Sequence, residues 1–144
     1  MKKFVTAFAL GLAFGAVAPA PITFVPQAEA QARRTLTGEW QGFYVQGPDN
    51  RSVPFTASLT ERGDGRLAGT TLESNTFGDN SSFWLFADVL GNVSGETVRW
   101  TKVYDGTAGQ SHSVQYEGRV TNGGRRIVGT WSLSGAGGSF EMAR

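Results

Sequence analysis

The sequence contains no cysteine. Disulfides, thiol catalysis, cysteine-based metal sites and a lipid-modified N-terminal cysteine are therefore excluded. Only one histidine, His112, is present, and one histidine with scattered carboxylates does not supply the convergent ligands of a metal site. We expect a domain that is stable through its core alone, with no metal and no other cofactor. A haem with His112 as its single axial ligand stays open as an alternative, which a Soret band would reveal.

Long apolar runs are also lacking, except near the N-terminus. Lys2-Lys3 precedes an apolar run over residues 4–18, and Ala28-Glu29-Ala30 offers a cleavage site, which is the pattern of a secretory signal peptide. The alternative is a membrane anchor, but a run of about 15 residues is shorter than the roughly 20 that span a bilayer. We therefore expect residues 1–30 to be a signal peptide and residues 31–144 to be a single exported domain, periplasmic or secreted.

The chain has no large excess of either charge. Thirteen Lys and Arg face twelve Asp and Glu, and removal of Lys2, Lys3 and Glu29 with the leader lowers the formal net charge from +1 to 0. A neutral domain has no electrostatic reason to bind nucleic acid or an anionic membrane. The basic residues also form no stripe interleaved with aromatic side chains. We expect no nucleic-acid partner and no stable membrane insertion.

No segment of the mature domain shows the 3.6-residue periodicity of a helix, and the chain has 20 glycines. Seven segments rich in Gly, Asn, Asp and Ser instead indicate turns, and they are QGPDN, ERGDGR, ESNTFGDNSS, GNVSGE, DGTAGQ, TNGGR and SGAGG. Between them we predict strands near residues 36–46, 52–60, 66–73, 83–90, 95–104, 111–121, 125–133 and 138–144. Mostly short connections predict an all-β antiparallel meander, which closes into an eight-stranded up-and-down barrel; a two-sheet sandwich is the alternative.

Alternation along the strands predicts which side chains face inward. Five strands share an aromatic inner face with gaps at glycine, formed by Leu36, Gly38, Trp40, Gly42 and Tyr44; Val98, Trp100, Lys102 and Tyr104; His112, Val114, Tyr116, Gly118 and Val120; Ile127, Gly129, Trp131 and Leu133; and Phe140, Met142 and Arg144. The fourth strand, FWLFADVL, is apolar on both faces, so its register stays open.

A Gly-x-Trp in the first strand, Gly38 to Trp40, and an Arg at the end of the last strand, Arg144, resemble the calycin superfamily of lipocalins, fatty-acid-binding proteins and avidins. The resemblance implies a ligand-holding barrel in which Trp40 lies on the floor and Arg144 packs over its ring. Such a cation–π contact is worth roughly 0.5–2 kcal/mol, a structural role. The segment LTGEW also resembles the avidin opening, but Gly42 stands where avidins carry the Asn that binds biotin.

The turns after strands one, three, five and seven share one end of such a barrel, and their greater length indicates the ligand entrance. Rings with polar tips near this mouth suit a small pocket. A buried Lys102 needs a partner or a bound anion. Asp105 forms with His112 the one plausible acid–base pair, although in Asp-Gly it is more simply a turn residue. The predicted ligand-binding residues are Tyr44, Lys102, Tyr104, Asp105, His112, Tyr116 and Trp131.

We therefore predict an exported, non-enzymatic, lipocalin-like barrel that binds a small hydrophobic or amphipathic molecule in its interior. The alternative is a filled barrel that binds a protein or glycan, for instance as an inhibitor or module of the cell envelope, through the outward side of FWLFADVL. A third class, a small enzyme that uses His112, would lose activity without losing stability on His112→Ala. The residues do not identify the ligand, and no catalytic residue is assigned.

Overall fold

A computed structural model of the protein describes residues 33–144. The predicted signal peptide, residues 1–30, lies outside the described residues. Eight strands make up most of the domain: β1 Gly38–Gln46, β2 Arg51–Glu61, β3 Arg66–Ser74, β4 Trp84–Ser94, β5 Thr97–Tyr104, β6 Ser113–Thr121, β7 Arg126–Leu133 and β8 Ala136–Ala143. A single 3₁₀ turn, Thr107–Gly109, lies between β5 and β6. Within this part of the chain, no helix has the length and apolar character that crossing a membrane would require.

The strands form a closed barrel in which every neighbour is antiparallel. The barrel closes between β1 and β8, where Gln41 pairs with Ala143 and Tyr44 pairs with Phe140. Closure leaves the sheet without an exposed edge, which an open sheet would have to protect by other means. The predicted eight-stranded up-and-down barrel is confirmed, and the sandwich alternative is wrong.

One turn predicted from the sequence is part of a strand. The segment GNVSGE suggests a turn over residues 91–96, but β4 continues to Ser94 and only Gly95-Glu96 separates it from β5. A Cβ on Gly91 would lie 2.1 Å from the carbonyl oxygen of Arg99, so the glycine permits a close approach of two strands rather than a turn.

The continuous alternation also decides the register of β4. Leu85, Ala87 and Val89 are buried in the barrel, while Trp84 and Phe86 are exposed on its outer face. Of the two registers open from the sequence, the structure has the one that places Trp84, Phe86 and Leu90 outside, with Asp88 on the same face.

Trp40 and Arg144 close the floor of the barrel. The Trp40 side chain is fully buried, and its indole N–H donates to the carbonyl oxygen of Leu36 at 2.9 Å. The Arg144 guanidinium lies 4.7 Å from the centre of the Trp40 ring and donates to the carbonyl oxygen of Thr37 at 2.6 Å and of Gly124 at 2.9 Å. The contact that the calycin resemblance implies is thus present, and it ties the end of β8 to the segment that precedes β1.

Trp40→Ala should lower the free energy of unfolding by about 3–5 kcal/mol, because it opens a cavity in a fully buried site and removes the platform for Arg144. Trp84→Ala is the matched control. Trp84 is 50% exposed on the outer face, so its loss should cost far less. Guanidinium chloride unfolding measures both, and equal losses in the two variants would contradict the structural role of Trp40.

Candidate functional site

A cavity of about 570 Å³ opens at the end of the barrel opposite Trp40. It lies inside the turns that follow β1, β3, β5 and β7, which is the end that the sequence indicates as the entrance. Its lining combines aromatic side chains with small residues of the rim: Tyr44, Gln46, Gly47, Phe77, Tyr104, His112, Val114, Tyr116, Trp131, Leu133, Gly135, Ala136 and Gly137. Of the seven predicted ligand-binding residues, this mouth cavity brings together all except Lys102 and Asp105.

The aromatic lining follows from strand alternation, because several strands each end in one inward ring at the mouth. Tyr44 and Trp131 meet edge to face, with ring centres 6.0 Å apart and an interplanar angle of 77°. The Trp131 indole N–H donates to the carbonyl oxygen of Val45 at 2.9 Å, which holds the ring in position. Below them Tyr116 stacks on Trp100 at 5.0 Å. The walls of the mouth cavity are therefore held by packing and hydrogen bonds before any ligand arrives.

A buried ion pair lies among these rings. Glu73 and Lys102 are 1% and 2% exposed, and the Lys102 ammonium donates directly to the Glu73 carboxylate. Lys102 also donates to the Tyr104 hydroxyl oxygen at 2.9 Å, and the hydroxyls of Tyr104 and Tyr44 donate to Glu73. The prediction that Lys102 faces inward and needs a partner is right, but the partner is Glu73 rather than a ligand. Lys102 is thus placed beside the cavity, not in its lining.

Glu73 has no role in the sequence-based site. Alternation from Leu67 through Thr71 already points it inward, and both of those residues are buried. Its position at the start of ESNTFGDNSS makes it look like a turn residue, whereas β3 continues through it to Ser74. One sequence signal could have identified Glu73: an inward-facing Lys102 needs a buried counter-charge, which an inward-facing carboxylate on another strand can supply.

Burial and the Glu73 charge act together on the three tyrosines of the chain. Burial is the larger cause and the Glu73 carboxylate the next, and both raise the pKa of Tyr44, Tyr104 and Tyr116 above the ordinary value. Burial lowers the pKa of Lys102, while the neighbouring Glu73 opposes this change. The three tyrosine hydroxyls therefore stay protonated throughout the physiological range, and those of Tyr44 and Tyr104 donate to Glu73.

His112 and Asp105 do not form the predicted acid–base pair in the structure. The Asp105 carboxylate accepts a hydrogen bond from the backbone N–H of Thr107 at 2.9 Å and lines a groove on the outer surface, so it does not lie in the mouth cavity where the prediction placed it. Its role is the Asx turn that Asp-Gly favours. His112 is half-buried against the rings of Tyr104 and Phe77, at 4.6 and 5.8 Å.

Over residues 33–144 no hydrogen bond joins the His112 ring to a carboxylate. No cluster of three His, Cys, Asp or Glu that could hold a metal ion occurs in the same part of the chain. His112 therefore contributes a ring and two nitrogen atoms to the rim of the cavity, without the orienting acid that a general base of the histidine–carboxylate type requires.

No family model and no curated protein matches this sequence. Among solved structures, the chain is similar to a redesigned β-barrel, mFAP1, bound to DFHBI. The TM-score is 0.60 at 11% sequence identity, and the match covers 80% of this chain and 99% of that chain. A likeness at this level shows a shared barrel fold. The calycin resemblance remains a resemblance, since no family match supports it.

Removing one partner of the buried ion pair should be costly. Glu73→Gln leaves the Lys102 ammonium buried without a counter-charge and should lower the free energy of unfolding by about 3–5 kcal/mol, while the double variant Glu73→Gln/Lys102→Met should recover much of the loss. Glu117→Gln is the control, since it breaks the exposed Arg99–Glu117 pair, whose loss should change stability far less. Chemical denaturation of the three variants measures these losses, and a double variant no more stable than Glu73→Gln would contradict the coupling.

The tyrosines should ionise only when the barrel unfolds. A phenol whose pKa is raised in the folded state contributes stability that is complete below about pH 10, the pKa in the unfolded chain, and is lost as the pH rises above that value. Tyrosinate absorbance near 295 nm should therefore appear together with the loss of far-ultraviolet circular dichroism in an alkaline titration. Tyrosinate formation near pH 10 in a protein that is still folded would show that the three hydroxyls are accessible.

Proposed function

We propose that the protein is an exported, non-enzymatic barrel that binds one small, partly apolar molecule in the mouth cavity. The observation that carries the proposal is the volume of this cavity, about 570 Å³. Pockets for small molecules usually measure about 300–1,000 Å³. Export is supported by the leader-like sequence of residues 1–30.

The contrast between the two halves of the barrel supports the same function. Between Trp100 and Met142 the enclosed space measures only about 10 Å³, which is too small for anything larger than a water molecule. The lower half of the described barrel is thus a packed core, whereas the mouth end is open. The redesigned barrel mFAP1 is bound to DFHBI, so a barrel of this general shape can hold a small molecule.

The lining also suits such a ligand. The faces and edges of Tyr44, Phe77 and Trp131 supply apolar contact, and the hydroxyl of Tyr116 and the nitrogen atoms of His112 supply directional polar groups. A mostly apolar wall with a few placed polar groups is the usual composition of a site that binds and orients a small molecule.

The neutral dye Nile red tests the proposal. Its fluorescence should increase on binding to the wild-type protein, and Leu133→Trp, which enlarges a side chain in the cavity lining, should weaken binding at least about tenfold, or 1.4 kcal/mol. Leu90→Trp makes the same exchange on the outer face, where Leu90 is 61% exposed, and should bind like wild type. If wild type gives no increase, or if both variants bind alike, the cavity is not a binding site.

A second function, binding of a protein or glycan on the outer surface, is favoured by the apolar outer side of β4 and the residue before it. Phe83 is 90% exposed, Trp84 50%, Phe86 45% and Leu90 61%. Contiguous apolar side chains on a surface often mark an interaction site. If this function holds, Trp84→Ser should reduce retention of a partner from an envelope extract and leave Nile red binding intact.

A further inference from the structure

We propose that the mouth cavity selects an uncharged aromatic molecule with a hydroxyl group, which Tyr116 binds through a hydrogen bond, and rejects carboxylates. The inference rests on the proposed function and names the chemical class of its ligand. It depends on three features of the cavity, which are the unpaired hydroxyl of Tyr116, the complete pairing of the buried charges, and the arrangement of the rings.

The first feature is the Tyr116 hydroxyl. Tyr116 is only 5% exposed and lines the mouth cavity. The hydroxyls of Tyr44 and Tyr104 bond to Glu73, and the Trp131 N–H bonds to Val45, but among residues 33–144 the Tyr116 hydroxyl has no hydrogen-bond partner. Among the described residues, the side-chain oxygens that are both fully buried and unpaired are those of Thr71 and Thr76, so the Tyr116 hydroxyl keeps accessible surface. A ligand hydroxyl in the cavity can bond to it in place of water.

The second feature is the state of the charged groups. The Lys102 ammonium already donates hydrogen bonds to Glu73 and to the Tyr104 hydroxyl. The Glu73 carboxylate accepts hydrogen bonds from Lys102, Tyr104 and Tyr44. Apart from the rim residue His112, no ionisable group other than the tyrosines lines the cavity in the described part of the chain. A ligand carboxylate would lose its hydration and find no free cation, which disfavours its burial.

Glu73 makes the same position unfavourable for a second negative charge. Burial is the main cause that raises the pKa of Tyr116, and the Glu73 carboxylate is the next. A ligand carboxylate beside Tyr116 would meet the second of these causes, the negative charge of Glu73, which would disfavour its binding.

The third feature is the geometry of the rings. Phe77 meets Tyr104 at 86° with centres 5.7 Å apart, and Tyr44 meets Trp131 at 77°. Aromatic pairs gain most in edge-to-face or offset stacked arrangements. A flat ring that enters between these pairs can make both kinds of contact, which an aliphatic chain cannot.

Equilibrium dialysis of 2-naphthol, naphthalene and 2-naphthoate against wild type and Tyr116→Phe tests the inference. At pH 8, wild type should bind 2-naphthol about 2–10 times more tightly than naphthalene, the range expected for one net hydrogen bond. It should bind 2-naphthoate at least about ten times more weakly than 2-naphthol. Tyr116→Phe should lose the preference for 2-naphthol and keep its affinity for naphthalene and its thermal stability.

Naphthalene lacks the ligand hydroxyl, and Tyr116→Phe lacks the protein hydroxyl. A purely structural effect of Tyr116→Phe would therefore change the affinity for naphthalene as well as that for 2-naphthol. The inference is overturned if 2-naphthoate binds as tightly as 2-naphthol, if Tyr116→Phe retains the preference, or if none of the three compounds binds. Nile red binding distinguishes these results from failure of the proposed function, since a protein that binds Nile red keeps its binding cavity whatever its selectivity.

Discussion

The upper half of the barrel depends on one buried carboxylate, that of Glu73. A carboxylate away from water is stable only if other groups replace its hydration, and three groups do so here: the ammonium of Lys102 and the hydroxyls of Tyr44 and Tyr104. These partners come from β1 and β5, neither of which adjoins β3. The cluster therefore joins strands across the interior that the hydrogen-bonded ladder does not connect, and it orients two of the rings that line the mouth cavity.

This arrangement divides the barrel into a packed half and an open half. Below, Trp100 stacks on Tyr116 and meets Phe140 edge to face, and Trp40 with Arg144 closes the floor. Packed side chains thus fill one end of the barrel, while the cavity opens at the other. Tyr116 belongs to both halves, because its ring packs on Trp100 while its side chain also reaches the mouth cavity. The residue most suited to bind a ligand is consequently held by the core.

Much of the architecture could be predicted from local patterns, but the site only in part. Alternation in β5 and β6 points Tyr104 and Tyr116 inward because a strand has a period of two. Alternation does not predict the direction of Asp105, the next residue after Tyr104, because the strand ends at Tyr104. The direction of the Asp105 carboxylate is set by the turn that follows. A glycine in the sequence is ambiguous in the same way, since it can indicate either a turn or a close approach of two strands. At Gly91 it permits the close approach.

The sequence by itself determined the number of strands, their antiparallel order and the inward faces of most of them, because turn residues and alternation are local properties of the chain. Only the tertiary structure decided that Lys102 meets Glu73, that Asp105 lies outside, and that Tyr116 has an unpaired hydroxyl beside an open cavity. The physical reason is distance across the barrel. Whether two inward side chains from non-adjacent strands touch, or leave space between them, depends on the tilt, stagger and closure of the whole sheet.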